Sequence, residues 1–310
     1  MKLNYLGLII NYKKKKSLLV AKKIIDWSNS KGIKVCIEKV EGQPVINEDA
    51  DCFQESFLKK TELIISLGGD GTLLRAARIA ALKDIPVFGI NLGGLGFLTQ
   101  IGTKDIETYL EKLYQKKYFI EERMMLECRV IRKNKEKIKK FIALNDIVIG
   151  KGAFARLVCL TTYVNDYYVI TYSADGLVLS TSTGSTAYSL SAGGPIVNPQ
   201  IKSMLLTPIC PHTLSARPLI IGENDRVRID LESSDEEAML TIDGQEGFAL
   251  KYKDEVIVKK SKYITKLITF KDKNFYTILR EKLKDFRKCI ITVWGTGYKF
   301  QYIKQKLEEK

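Results

Sequence analysis

A single histidine, His212, occurs in a chain of 310 residues. A histidine-based catalytic triad would have to include it, and HExxH zinc chemistry is excluded. Cysteine is sparse and scattered: Cys36, Cys52, Cys128, Cys159, Cys210 and Cys289 form no CxxC pair and no cluster. That usage suits reduced thiols in a cytoplasmic protein. No apolar stretch approaches the roughly 20 residues that a membrane helix needs. Lys2 and the short run Leu6–Ile10 lead directly into Lys13–Lys16 without a small-residue cleavage site. This reads as a first strand and a charged loop, not a signal peptide. The common phosphate fingerprints are missing too. The Gly150-Lys151 pair lacks the upstream glycine and the following Ser/Thr of a Walker A loop. Gly94-Leu95-Gly96 runs on into Phe97-Leu98-Thr99 and does not complete GxGxxG.

Negative charge is in short supply, since 36 Asp and Glu face 50 Lys and Arg for a net charge of +14. Such a balance suits nucleic acid, a membrane surface or an anionic small ligand. The lysines are dispersed, with clusters at Lys13–Lys16 and Lys133–Lys140, and neither cluster is interleaved with aromatics as a stacking platform would be. The second reads as a solvated hairpin tip between strands at Leu126–Ile131 and Phe141–Ile149. Most of the charge is therefore read as solvated surface, of which a polyanionic substrate uses a local part. Neither a specific nucleic acid nor a membrane is expected as partner.

What is present points to two domains, which the length also favours. Up to about residue 123 strand-like runs alternate with helix-like ones: Leu3–Ile10, Ser17–Trp27, Lys34–Val40, Leu63–Leu67, Leu73–Ala80, Ile85–Ile90 and Lys104–Tyr114. Alternation of this kind predicts a Rossmann-like α/β domain over 1–123, a parallel sheet with helices packed on it. From Met124 to about Phe270 strand follows strand, with turns at Asn165-Asp166, Gly222–Asp225 and Asp243-Gly244. This predicts an all-β domain over 124–270, a β-sandwich. Residues 271–286 return to a helical pattern expected to pack back on the first domain, and 287–310 form a tail.

The most informative segment is Gly68-Gly69-Asp70-Gly71-Thr72, between a buried-strand pattern and a helical one. A glycine-rich turn there exposes backbone N–H groups and the positive helix end, which attract phosphate. An acid in the middle of a phosphate cradle would repel the ligand, so Asp70 calls for a hydroxyl or a metal ion beside the phosphate. The same residues also suit a plain helix N-cap in a tight turn. A second constellation runs from Ser173 to Pro195, where a carboxylate (Asp175), a tyrosine (Tyr188) and many hydroxyls and glycines share one stretch. It offers donors, acceptors and close backbone approach to a polar ligand, though such composition also marks ordinary loops. Asn145-Asp146 interrupts the apolar run Phe141–Ile149, either facing a partner or marking a bulge or edge.

Taken together these segments resemble bacterial NAD kinases. The likeness rests on Gly68–Thr72, on Asn145-Asp146, on the Asp-Gly and Gly-Ser-Thr-Ala-Tyr elements within Ser173–Pro195, and on Pro208–Leu219 and Asp243-Gly244-Gln245. It extends from residue 1 to about 286. It implies Mg²⁺-dependent transfer of the ATP γ-phosphoryl group to the 2′-hydroxyl of the adenosine ribose of NAD. In those terms Asp70 accepts the hydroxyl proton, with orientation of the hydroxyl as its main task. Asn145 and Asp146 hold the adenosine hydroxyls or base, and Asp175 the nicotinamide end. Thr186, Ala187, Tyr188, Ser189, Leu190 and Ser191 line the dinucleotide site, joined by Gly71, Arg75, Arg156, Ser173 and Gln245. No metal ligand is singled out, His212 is structural, and a homodimer or homotetramer is implied. Two features depart from the pattern. Ser182 stands where the family commonly has proline, which should loosen its loop. The segment Thr292–Phe300 has no counterpart in these kinases and faintly resembles the final hairpin of winged-helix response regulators; it is read as a non-functional extension. A lipid or sugar kinase with a similar turn, or a non-catalytic binder, are the alternatives. The long Ser173–Pro195 stretch argues against the first, and intact Asp70 and Asp146 against the second.

Overall fold

The computed structural model describes residues 3–38, 58–94, 96–99, 101–132, 137–152, 157–213, 215–232, 238–271, 274–287, 290–293 and 297–300. The alternating part comprises β1 (Tyr5–Ile10), α1 (Ser17–Ser30), β2 (Lys34–Ile37), β3 (Leu63–Gly68), α2 (Asp70–Ala81), β4 (Val87–Asn91) and α3 (Ile106–Tyr114). The four strands pair in parallel in the order β2-β1-β3-β4. All six residues of β3 are buried, as a strand covered on both faces requires. Val20, Ile24 and Ile25 of α1 and Leu110 and Leu113 of α3 cover one face. Leu73, Ala76, Ala77 and Ala80 of α2 cover the other. The turn at Asp70 therefore lies at the carboxyl end of a central strand, where open α/β sheets bind ligands.

The rest is β-rich: β5 (Phe119–Ile131), β6 (Lys137–Ala143), β7 (Asp146–Lys151), β8 (Val158–Val164), β9 (Tyr167–Ala174) and β10 (Gly176–Thr181). After the short helix α4 (Tyr188–Ser191) come β11 (Ser203–Ile209), β12 (Leu219–Gly222), β13 (Arg226–Leu231), β14 (Ala238–Ile242), β15 (Glu246–Leu250) and β16 (Glu255–Thr269). One antiparallel sheet has the order β12-β11-β10-β7-β14-β15. Its inner residues Ile147, Ile149, Leu177, Leu179 and Leu240 pack on Leu126, Leu160, Val227, Ile229 and Val258 of the facing sheet. The C-terminal part is thus a β-sandwich behind an α/β layer, as the alternation pattern implies. The facing sheet is not separate from the parallel one, because β16 pairs with β4 at Leu267 and Val87 and joins both into ten strands. No described helix is long and apolar enough to cross a membrane. The helix α5 (Phe275–Arg287) and the antiparallel hairpin β17 (Ile290–Val293) and β18 (Gly297–Phe300) complete the described chain.

The expected strand Phe141–Ile149 divides. Its first part is β6, paired with β5; its second is β7, in the other sheet between β10 and β14. The break falls at Leu144-Asn145, where the chain turns a corner from one sheet to the other. Polar residues at that corner do not interrupt a strand; they mark the place where it ends.

Candidate functional site

Asp70 is the first residue of α2, with Gly69 in extended conformation as N-cap and no side-chain cap. The plain N-cap reading therefore fails. The carboxylate turns instead to the loop after β4: Oδ2 accepts from Phe97 N at 2.8 Å, and Oδ1 from Leu98 N at 3.2 Å and Thr99 N at 2.9 Å. The Thr99 hydroxyl donates to Oδ1 at 2.7 Å and accepts from Asn91 Nδ2 at 2.7 Å. Among the described residues Oδ1 takes three hydrogen bonds and Oδ2 one, which leaves Oδ2 a lone pair for a further donor. The approach is close enough that a Cβ on Gly96 would fall 2.0 Å from Oδ1.

Two cavities open along the first turns of α2. The first, about 560 Å³, is lined by Gly69, Gly71 and Thr72 of the turn, Lys13 and Lys14 of the loop after β1, Arg75 and Gln245. Its cations and the helix N-terminus suit phosphate. The second, about 590 Å³, is lined by Leu74, Asn145, Asp146, Lys151, Asp175, Ala187, Tyr188, Asp243 and Gly244, among others. Three carboxylates against one lysine make it a place for hydroxyl and amino donors. Lys151 Nζ pairs with Asp175 at 2.7 Å, and Asn145 Oδ1 is buried with no hydrogen bond among the described residues. A ligand donor would satisfy that oxygen.

Asp243 lines the second cavity, and Gln245, two residues on, lines the first. Asp243 sits in the tight turn between β14 and β15 with φ of 49°, followed by Gly244 at 64°, and Gln245 N donates to Ile242 O at 2.9 Å. Its buried carboxylate accepts the backbone N–H groups of Leu144 at 3.1 Å, Asn145 at 2.8 Å and Asp146 at 3.2 Å. These bonds hold the corner at which the chain changes sheets. Burial raises the Asp243 carboxyl above the ordinary carboxylate range, against the backbone donors and the Arg78 guanidinium. Burial first, and the Asp243 charge second, push the Asp146 carboxyl up to about 7.

The structure thus brings Asn145, Asp146, Asp175, Ala187 and Tyr188 to one cavity and Gly71, Arg75 and Gln245 to the other, while Asp70, between Gly69 and Gly71 in the turn, is not among the residues lining either. Arg75 is held by Glu38 at 2.6 Å. Ser173, Thr186, Ser189, Leu190 and Ser191 are not among the residues lining either cavity. The Ser189 hydroxyl is buried against Thr207 at 2.9 Å, and Ser191 is exposed. Arg156 lies outside the described residues. The backbone N–H of His212 donates to Ser173 O at 2.9 Å. Ser182 ties its loop down and does not loosen it, because its buried hydroxyl bonds Ile201 O and Ser203 Oγ. Thr99, Asn91 and Arg78 organise the site without standing out in the sequence, and Asp243 stands out there only within a matched motif, with no site role given to it. The Asp-Gly turn is the available signal for Asp243; a lone Asn, Thr or Arg carries none.

Comparison with known proteins agrees over most of the chain. A model of the ATP-NAD kinase N-terminal domain matches residues 6–118, and one of the ATP-NAD kinase C-terminal domain matches 144–270. The NAD kinase of Caldanaerobacter subterraneus subsp. tengcongensis is 43% identical over 279 residues, covering 90% of this chain and 98% of the relative. The NAD kinase of Carboxydothermus hydrogenoformans is 46% identical over 246 residues, 79% and 87% of the two chains. Yeast NADH kinase, solved in complex with NADH, superposes with a TM-score of 0.81 at 25% identity, covering 97% of this chain and 91% of its own. An NAD kinase from Archaeoglobus fulgidus, solved with ATP, shares the fold with a TM-score of 0.68 at 24% identity, over 91% and 98% of the two chains.

Proposed function

This chain belongs to the ATP-NAD kinase family, and on that basis we propose that it transfers the γ-phosphoryl group of ATP to the 2′-hydroxyl of the adenosine ribose of NAD, giving NADP. The observation that carries the reading is a cationic cavity lined by Gly69, Gly71 and Thr72 of the turn together with a carboxylate-lined one that Leu74 of the same helix also lines. The first receives the phosphates, against Lys13, Lys14, Arg75 and the N-terminus of α2. The second receives the dinucleotide: Asn145 and Asp146 take the adenosine hydroxyls or base, Asp175 lies toward the nicotinamide end, and Tyr188 offers an aromatic face.

Phosphoryl transfer passes through a loose transition state, so positioning and charge neutralisation do most of the work. Asp70 is suited to positioning. The loop amides and Thr99 lock its carboxylate in one orientation, and Oδ2 has room to accept the ribose hydroxyl and its proton. Among the described residues no three His, Cys, Asp or Glu side chains converge into a metal cage. Mg²⁺ needs none, since substrate phosphates, water and one or two carboxylates commonly hold it. Here it would accompany ATP and neutralise phosphate charge in the cavity lined by Gly69, Gly71 and Thr72, held by substrate phosphates and water. The same reading includes a homodimer or homotetramer. β9 is a sheet edge with Tyr167 and Tyr168 exposed, a surface that a second copy would cover.

Incubation with ATP, Mg²⁺ and NAD tests the proposal: NADP should form in step with ADP. Phosphorylation of a lipid or sugar in preference to NAD, or NAD binding without turnover, would overturn it.

A further inference from the structure

Arg78 belongs to none of the motifs, yet it joins the two halves of the site. From the side of α2, Nη1 donates to Asp243 Oδ2 at 3.2 Å and Nη2 to Gln245 Oε1 at 2.9 Å, with Glu246 Oε1 at 3.4 Å from Nη2. Its side chain is 13% exposed and that of Asp243 is fully buried. The partners lead in opposite directions. Asp243 holds the backbone of Leu144, Asn145 and Asp146, which aims two side chains into the dinucleotide cavity. Gln245 Nε2 donates to Gly71 O at 2.5 Å, inside the phosphate-binding turn.

We infer that Arg78 is a positioning residue that couples occupancy of the phosphate cavity to affinity in the dinucleotide cavity, through Gln245 on one side and Asp243 on the other. The inference rests on the kinase reading and adds to it a coupling between its two substrates. A ligand that shifts the Gly71 carbonyl moves the Gln245 amide, which shares Arg78 with Asp243. Asp243 in turn sets the direction of the corner bearing Asn145 and Asp146. The planar fork of arginine reaches Asp243 and Gln245 with separate nitrogens, which a lysine ammonium on a flexible stem does not reproduce. The competing role is purely structural: Arg78 would merely neutralise a buried carboxylate, which left unpaired is strongly destabilising. That role leaves the two ligands independent. Coupling instead requires, by linkage, that each ligand alter the affinity of the other by the same factor.

The test is calorimetric titration of the full chain with NAD, with and without a saturating non-hydrolysable ATP analogue and Mg²⁺. In the wild type the analogue should tighten NAD binding by roughly fivefold or more, the usual lower range for coupled sites. In Arg78→Lys both ligands should still bind, with the factor reduced to about one, and a thermal melt checks that the variant is folded. Gln245→Ala cuts the bridge at an exposed side chain, keeps the Arg78–Asp243 pair, and should lower the factor in the same way even where Arg78→Lys does not fold. NADP formation by a wild type whose ligands bind independently, or an unchanged factor in Gln245→Ala, overturns this inference alone. Failure of the wild type to make NADP removes the kinase reading and this inference with it.

Discussion

Asp146 should make the fold less stable as pH rises from 5 to 8, and Asp146→Asn should remove that dependence. The side chain is 4% exposed and lies beside another buried carboxylate. Its carboxyl sits at about 7 against an ordinary 3.8, through burial first and the Asp243 charge second. The folded chain therefore binds the proton more tightly than the unfolded one. Between about pH 4 and 7 the folded state carries more protons, so stability falls as pH rises through that window. The contribution is complete below pH ~4 and gone above pH ~7. A shift of about three units corresponds to roughly 4 kcal/mol over the whole window, of which roughly 2 kcal/mol falls between pH 5 and 7. Asparagine keeps the shape and cannot ionise. Urea unfolding of both proteins at pH 5, 6, 7 and 8 gives two stability curves. Glu38, which is raised by burial away from this pair, contributes to both and cancels in the difference, whereas Asp243 is coupled to Asp146, so the difference reports the titration of the pair. The variant should gain on the wild type by about 2–3 kcal/mol between pH 5 and 8. Parallel curves, or a wild type that gains stability with pH relative to the variant, would refute the reasoning. In the wild type NAD should also bind more weakly below pH ~7, because a protonated Asp146 loses acceptor capacity.

Asp70→Asn should retain the fold and NAD binding but slow NADP formation by roughly 10²–10⁴, the usual worth of general base catalysis, and a near-normal rate would remove Asp70 from the chemistry. Tyr188→Ala should weaken NAD more than ATP in calorimetric titration, since Tyr188 lines only the carboxylate-bearing cavity of the two; equal losses would place Tyr188 elsewhere. Gly184→Ala should cost several kcal/mol in denaturant unfolding, because its Cβ would lie 2.2 Å from the carbonyl oxygen of Asn145 at the sheet corner, and a neutral result would show that the corner yields. Analytical ultracentrifugation at assay concentration should show a species heavier than one chain, and truncation after Phe286 should leave NADP formation intact. A fully active monomer, or activity lost on truncation, would count against those two readings.

Chemistry that acts between neighbouring residues is legible along the chain. The apolar run Leu63–Leu67, the glycines after it and the helical spacing from Leu73 specify strand, turn and helix by steric and hydrophobic rules that act over a few residues. The turns at Asn165-Asp166 and Asp243-Gly244 follow from the same rules, since those residues tolerate the left-handed backbone found there. The Asp70 motif stands out along the chain because a carboxylate among glycines at a helix start suits either a ligand site or a cap, and only the folded structure shows that it does not cap the helix. What no local rule supplies is where distant segments meet. The pairing of Val87 with Leu267, which fuses the parallel sheet to the sandwich, depends on the relative placement of strands 180 positions apart (267 − 87 = 180). The corner at Asn145 exists because Asp243, 98 residues later, supplies a buried acceptor for three N–H groups that neither sheet satisfies. Asp70 finds its partners in Phe97–Thr99, and Arg78 finds Asp243 and Gln245, only once α2 is clamped between β3, β4 and the β14–β15 turn. Backbone preference and hydrophobic period act locally and can be read along a chain. Hydrogen-bond satisfaction and charge pairing in a buried site are settled by whichever groups the tertiary fold leaves within about 3 Å of one another.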